Sequence, residues 1–205
     1  MKRVLFLSML IAACMSMSAQ ITSSQTDLTR RTVVVDKYQG WNSVYVEYLP
    51  SKLSSGAFNG AALNYAHAFS VTQKMPLFVE VGLGGQYSFQ DENGAKMQFA
   101  SVKVPLNVIY EFSIPGTSIS LDPFAGIKTR VNVWGEITSD EYDIEYDLFD
   151  ENEGRCKRVQ VGWNAGLKLR VNNAFFVGGA FGTDFMKFSP NHGIKEFAVS
   201  LGLTF

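Results

Sequence analysis

From Trp41 to Phe205 large apolar residues recur at every second position, segment after segment. Val159, Val161, Trp163, Leu167, Leu169 and Val171 alternate with Arg158, Gln160, Asn164, Lys168 and Arg170, and the chain closes on Phe197, Val199, Leu201, Leu203 and Phe205 interleaved with Glu196, Ala198, Ser200, Gly202 and Thr204. Side chains alternate across a strand, so each segment predicts one with an apolar and a polar face. Eight such segments are predicted: 43–49, 58–70, 77–90, 96–112, 118–134, 158–171, 175–188 and 195–205. On the third, Leu77, Val79, Val81, Leu83, Tyr87 and Phe89 oppose Glu80, Gly82, Gly84, Gln86 and Ser88. Pro105 and Pro123 interrupt two segments, and because proline removes a ladder donor both are expected at bulges.

The connections alternate in character. Gln73-Lys74-Met75-Pro76, Ile114-Pro115-Gly116-Thr117 and Asn172-Asn173-Ala174 read as tight turns, whereas 50–57, 91–95, 135–157 and 189–194 are longer. An even number of antiparallel strands, tight turns at one end and long loops at the other predict an all-β, eight-stranded, antiparallel up-and-down transmembrane β-barrel over 41–205. The short turns and both termini then face the periplasm. The closing aromatic, Phe205, is the expected contact for the barrel-assembly machinery.

The amino-terminal segment agrees. Met1-Lys2-Arg3 is basic, Val4 to Ala13 is apolar, and small residues surround Ser16, Ser18 and Ala19, the pattern of a signal peptide over 1–19 with cleavage before Gln20. Residues 20–40 read as a periplasmic lead-in. Ile11-Ala12-Ala13-Cys14 also fits a lipobox, the alternative being a lipidated Cys14. Cleavage before Gln20 removes Lys2, Arg3 and no acid, leaving 16 cations against 19 carboxylates, near −3. That balance excludes a nucleic-acid face. It also leaves Cys156 as the single cysteine, without an intrachain partner.

Alternation does not say which face is inside. In a soluble lipocalin-like ligand barrel the apolar face lines a cavity; in a membrane barrel it meets lipid. Three features favour lipid. The polar faces are rich in Gly60, Ala62, Gly82, Gly84, Gly126, Gly178, Ala180 and Gly182, small enough for a crowded interior. Their charges nearly balance, with Glu47, Glu80, Glu111, Asp122, Asp184 and Glu196 against Lys103, Lys128, Arg130, Arg158, Lys168 and Arg170. Tyr48, Tyr65, Phe69, Tyr110, Trp163 and Phe205 suit interfacial aromatic girdles. An eight-stranded lumen is just wide enough to be filled by side chains. The charges are therefore expected to pair into a plug.

Trp41-Asn42-Ser43-Val44-Tyr45-Val46, Pro76-Leu77-Phe78-Val79-Glu80-Val81-Gly82, Val102-Lys103-Val104-Pro105-Leu106-Asn107, Val161-Gly162-Trp163-Asn164-Ala165-Gly166-Leu167 and the closing Ser200-Leu201-Gly202-Leu203-Thr204-Phe205 resemble the PorT-like outer-membrane β-barrel family of Bacteroidetes. The resemblance covers most of 41–205. It implies an integral outer-membrane barrel, some members of which serve protein secretion and gliding, and it supplies no catalytic residue.

The chemistry on offer is sparse. His67, on the second segment, has Ser70 nearby, and His192, in the last outer loop, has Ser189, but neither pair has the spacing of a nucleophile, base and acid. No catalytic residue and no cofactor is expected. The densest composition is 140–153, eight carboxylates interleaved with aromatics. Within it Asp143, Glu145, Asp147 and Asp150 are a weak surface candidate for Ca²⁺, although Leu148 stands where an EF-hand loop needs glycine. The bland reading is a solvated hairpin extending the fifth and sixth strands. The expected role is structural or surface-interacting, within an envelope or secretion complex, in contact with outer-membrane lipid and lipopolysaccharide. The alternatives are a small-solute, porin-like channel using Lys128, Arg130, Lys168 and Arg170, and, lower, an outer-membrane lipid-modifying enzyme.

Overall fold

A computed structural model describes residues 38–53, 56–92, 95–139, 144–149, 156–186, 188 and 193–205. The signal peptide, Cys14 and most of the 20–40 lead-in lie outside them. The strands are β1 (Trp41–Tyr48), β2 (Ser51–Leu53), β3 (Gly56–Thr72), β4 (Met75–Glu92), β5 (Ala95–Tyr110), β6 (Phe112–Ser113), β7 (Ile119–Ser139), β8 (Ile144–Asp147), β9 (Val159–Val171), β10 (Phe175–Asp184) and β11 (Lys195–Thr204). Each long strand pairs antiparallel with the next, and β1 pairs with β11 from Ser43↔Thr204 to Tyr48↔Val199, closing a ring of eight. Closure leaves no long unpaired edge. The eight expected segments are all present. β7 runs five residues beyond its predicted end, and β10 stops at Asp184 rather than 188.

The turns follow local chemistry. Between β9 and β10, Asn172 and Asn173 have φ of 54° and 50°, which asparagine tolerates and a tight hairpin needs. Between β3 and β4 the Thr72 hydroxyl accepts the N–H groups of Lys74 and Met75. Gly116 supplies the φ of 78° in the β6–β7 turn. All three lie at one end, and the longer connections lie at the other.

Pro105 and Pro123 are not at bulges. Pro105 pairs with Lys128 and Pro123 with Leu167 without a register shift. The ring of Pro105 points into the lumen over Gly82, where a Cβ would come within 2.9 Å of its Cγ, so the missing donor costs one ladder bond while the register holds. The shifts fall elsewhere. Pro76 and Leu77 stand against Val71 alone, and Val133 is the extra residue between Asn132 and Trp134. Val133 and Trp134 both point outward as a result.

Register decides the question of faces. Along β11, Glu196, Ala198, Ser200, Gly202 and Thr204 are buried while Phe197, Val199, Leu201 and Leu203 are exposed. The same sense holds around the ring: Asn64, Glu80, Lys103, Asp122, Arg130, Gln160 and Arg170 point inward, and Val46, Leu63, Leu83, Val108, Ile127, Leu169 and Val177 point outward. The exterior is an apolar belt and the interior is charged. A soluble barrel built this way would expose its largest hydrophobic surface to water.

Candidate functional site

The lumen is a column of paired charges. Nearest the tight turns, Glu111 stands across from Asp122, and Arg170 holds both, its Nη2 donating to Glu111 Oε2 at 2.7 Å and its Nε to Asp122 Oδ2 at 3.0 Å. Its guanidinium stacks on Trp41, 3.9 Å from the ring centre. Two carboxylates so close would repel; one forked cation bridges them. Next along the axis Lys168 donates to Glu80 at 2.6 Å inside a cage of Tyr45, Phe124 and Phe176, whose centres lie 5.2–5.5 Å from Nζ. Those rings have room because Gly166 and Gly202 lack side chains, and a Cβ at either would approach Phe124 Cζ or Phe176 Cε1 to 2.7 Å.

Beyond the cage, Glu80 accepts from Asn107, which accepts from Asn164. Lys103 and Asn64 both donate to Glu47. Glu196 then accepts from Lys128, from Arg130 Nη1 at 3.1 Å and from Gln86 Nε2 at 3.4 Å. Arg130 continues to Asp184 Oδ2 at 2.8 Å and Gln160 Oε1 at 2.8 Å. Five cations thus meet all six expected carboxylates. The sixth expected cation, Arg158, is not in the lumen: one residue before β9, it is exposed and stacks on Phe149, 5.5 Å from the ring centre, while its carbonyl accepts the Asn132 N–H.

At the turn mouth the column opens into a recess of about 280 Å³ lined by Glu111, Ser113, Thr117, Ser120, Asn172 and Asn173, and further in packing leaves little space. A residual cavity of about 40 Å³, lined by Tyr45, Glu47, Glu80, Lys103, Asn164 and Ser200 among others, has room for a few waters. Among the described residues Asn64 Oδ1, Gln86 Oε1 and Asn164 Oδ1 are buried without a protein partner, and Asn164, which lines this cavity, is where such water would donate.

Apolar clusters pack at both ends of the lumen. At the turn end Ala68, Phe78 and Ile109 pack with Tyr38, Trp41 and Phe124. At the loop end Phe58, Phe99, Leu148, Phe149, Phe188 and Ile194 form a plug, with Met97, Ile137 and Cys156 against it. The hairpin expected in 135–157 is present: β8 pairs with β7 from Glu136↔Asp147 to Ser139↔Ile144. It is not simply solvated, however. Leu148 and Phe149 turn in over the lumen because period two ends at Asp147, whose Oδ1 accepts the Phe149 N–H at 2.8 Å and fixes the turn. Burial in the plug pushes the Cys156 thiol up to about 11, so it stays protonated at neutral pH and packs as an apolar group.

The remaining candidates fare differently. His67 is half-buried with Nδ1 2.8 Å from Asn42 Oδ1, which also accepts from Tyr65, and its ring stands edge-on to Phe69. Ser70 turns away and donates to the Thr72 carbonyl, so these two form no catalytic pair. His192 and Ser189 lie outside the described residues. So do Asp143, Asp150 and the side chain of Glu145, leaving Asp147 as the described member of the acidic set. Replacing Asp143, Glu145, Asp147 and Asp150 by Asn and Gln is expected to leave assembly intact, since Asp147→Asn retains an accepting oxygen for the Phe149 N–H and surface changes typically cost within about 0.5 kcal/mol. Heat-modifiable migration of the fourfold variant checks this, and loss of the folded band would place the segment in the folding nucleus.

Residue patterns expose the charged ladder but not the plug or the aromatic cage. The available signals are the Leu148-Phe149 pair ending an acidic run and Phe176 occupying an inward register position.

No protein-family model matches the chain, and no curated protein matches its sequence. Solved structures do match. The outer membrane enzyme PagL aligns with a TM-score of 0.52 at 16% identity, covering 77% of this chain and 97% of its own. Ail, the attachment invasion locus protein of Yersinia pestis, aligns with a TM-score of 0.51 at 12% identity over 82% of this chain and 99% of its own. Ail in complex with the heparin analogue sucrose octasulfate gives 0.50 at 14% identity, with 82% and 99% covered. At these identities the likeness is one of fold: this chain has the architecture of the eight-stranded outer-membrane β-barrels.

Proposed function

We propose that the protein is an integral outer-membrane barrel of the PorT-like kind, closed to solutes and without catalysis, that serves as a scaffold or surface subunit of an envelope complex. The observation that carries this reading is the inversion of the two faces, an apolar belt around a lumen packed with ion pairs. The belt is what a lipid bilayer solvates, and buried charges are tolerated only where each has partners. The mid-lumen space of only about 40 Å³, with the recess of about 280 Å³ confined to the turn mouth, supports closure over conduction. The C-terminal strand, hydrogen-bonded to β1 through Asn42 and Phe205, is the contact we assign to the barrel-assembly machinery. Specific recognition of a partner belongs to the loop end, where β7 and β8 stand clear of the ring.

The test is electrical and electrophoretic. Purified full-length protein in detergent is expected to show heat-modifiable migration and a strand-rich circular dichroism spectrum, and in planar bilayers no stable single-channel steps. A water-soluble monomer needing no detergent would refute membrane embedding. Large, stable conductance steps would instead establish the channel reading, with the lumen cations lining its path.

A further inference from the structure

Where β2 meets β11 the register sets Lys52 directly opposite Lys195. Both side chains are exposed, on the outward face of the ring, at the end that carries the long loops. Directly opposed residues in an antiparallel pair hold their Cβ atoms about 4.5–5.5 Å apart, and like charges placed so repel. Neutral residues surround the pair on that face: Ala57 stands beside Lys52, Thr183 beside Lys195, and the diagonal positions carry Asn59, Phe181 and Phe197. Neither lysine makes an ion pair among the described residues. The lumen charges are matched, yet among the described residues nothing compensates the repulsion of this outward pair.

What lies along the strands below the pair says what compensates it. Down β11 the outward residues after Lys195 are Phe197, Val199, Leu201 and Leu203, and down β1 they are Tyr48, Val46 and Val44. Two adjacent cations therefore cap an apolar stripe at the outer edge of the belt. An amphiphile with an anionic head and hydrocarbon tails fits that order, the tails on the stripe and the head between the ammonium groups, with the Tyr48 hydroxyl, which donates to Asn59 at 2.7 Å, at the boundary. We propose that Lys52 and Lys195 form a binding site for the phosphate of an outer-leaflet glycolipid, the lipid A part of lipopolysaccharide. The inference rests on the outer-membrane reading above and adds the residues and the headgroup chemistry.

The test uses the full-length protein refolded into bilayers of phosphatidylcholine alone, or with bis-phosphorylated lipid A, lipid A lacking its phosphates, or phosphatidylglycerol. Urea midpoints and the lipid retained in native mass spectra are read in each, for the wild type, Lys52→Gln/Lys195→Gln, and Lys74→Gln on the opposite rim as a control. Phosphorylated lipid A is expected to raise the wild-type midpoint and to be retained several-fold over its dephosphorylated form. The double variant should lose both effects and, with its repulsion gone, unfold at higher urea than wild type in pure phosphatidylcholine. Lys74→Gln should behave as wild type. Equal gains from phosphorylated and dephosphorylated lipid A, or unchanged selectivity in the double variant, overturn the site. An equal gain from phosphatidylglycerol overturns the glycolipid assignment in favour of a generic anionic surface. Folding into phosphatidylcholine is scored separately by heat-modifiable migration, so failure of the membrane reading is distinguishable from failure of the site.

Discussion

Replacing Leu63 with Arg is expected to destabilise the bilayer-embedded protein by about 2–4 kcal/mol, the cost of a cation on the lipid face near the midplane. Leu63 sits near the middle of β3, between Val46 and Gly85, with its side chain 61% exposed on the outward face. The sign of this result separates the two architectures that share the same alternation. In a water-soluble barrel an exposed leucine is already a liability, and arginine there would be neutral within about 0.5 kcal/mol or favourable. The same exchange at Val71, near the turn end of β3, should cost only about 0–1 kcal/mol, because the guanidinium reaches the interface. Urea unfolding in phosphatidylcholine bilayers measures both. Equal, small effects at the two positions would mean that the belt does not face lipid.

The second large effect lies inside. Glu196→Gln keeps the volume and removes the charge shared by Lys128 and Arg130, leaving two buried cations with Asp184 as their remaining carboxylate. Deleting one partner of a buried pair typically costs about 3–5 kcal/mol, because the remaining charge is left desolvated without compensation. The folded band of Glu196→Gln should therefore unfold at markedly lower temperature and urea concentration than wild type. Adding Lys128→Met should recover part of that loss, since coupled sites are not additive. A loss below about 1 kcal/mol for the single variant would mean that water reaches this layer, and the closed-lumen reading would fall with it.

Particular residues show how far the sequence carries. Glu80, Lys103, Asp122, Lys128, Arg130, Lys168, Arg170 and Glu196 can be assigned to one shared face from period two alone, because strand geometry puts every second side chain on the same side whatever the strand pairs with. The strands, the tight turns and the even count follow from the same local rule. Pro105 and Pro123 mislead because a lost donor is a local fact, whereas a bulge depends on what stands opposite. Gly82 gives Pro105 space, while Pro76 and Val133 carry the actual shifts. Period two also assigns Arg158 to the lumen, wrongly, because β9 begins only at Val159 and alternation does not fix the direction of a side chain ahead of the strand.

Eight two-faced antiparallel strands are legible in the residues alone, since periodicity and turn chemistry are written over spans of a dozen positions. The small residues and balanced charges of the polar face already point to it as the interior, but which acid meets which base, and the folding back of Leu148, Phe149, Phe188 and Ile194 at the loop end, are legible only in three dimensions. Those outcomes depend on ring closure through β1 and β11, which brings together residues more than a hundred positions apart such as Gln86 and Glu196, and no local pattern encodes that distance.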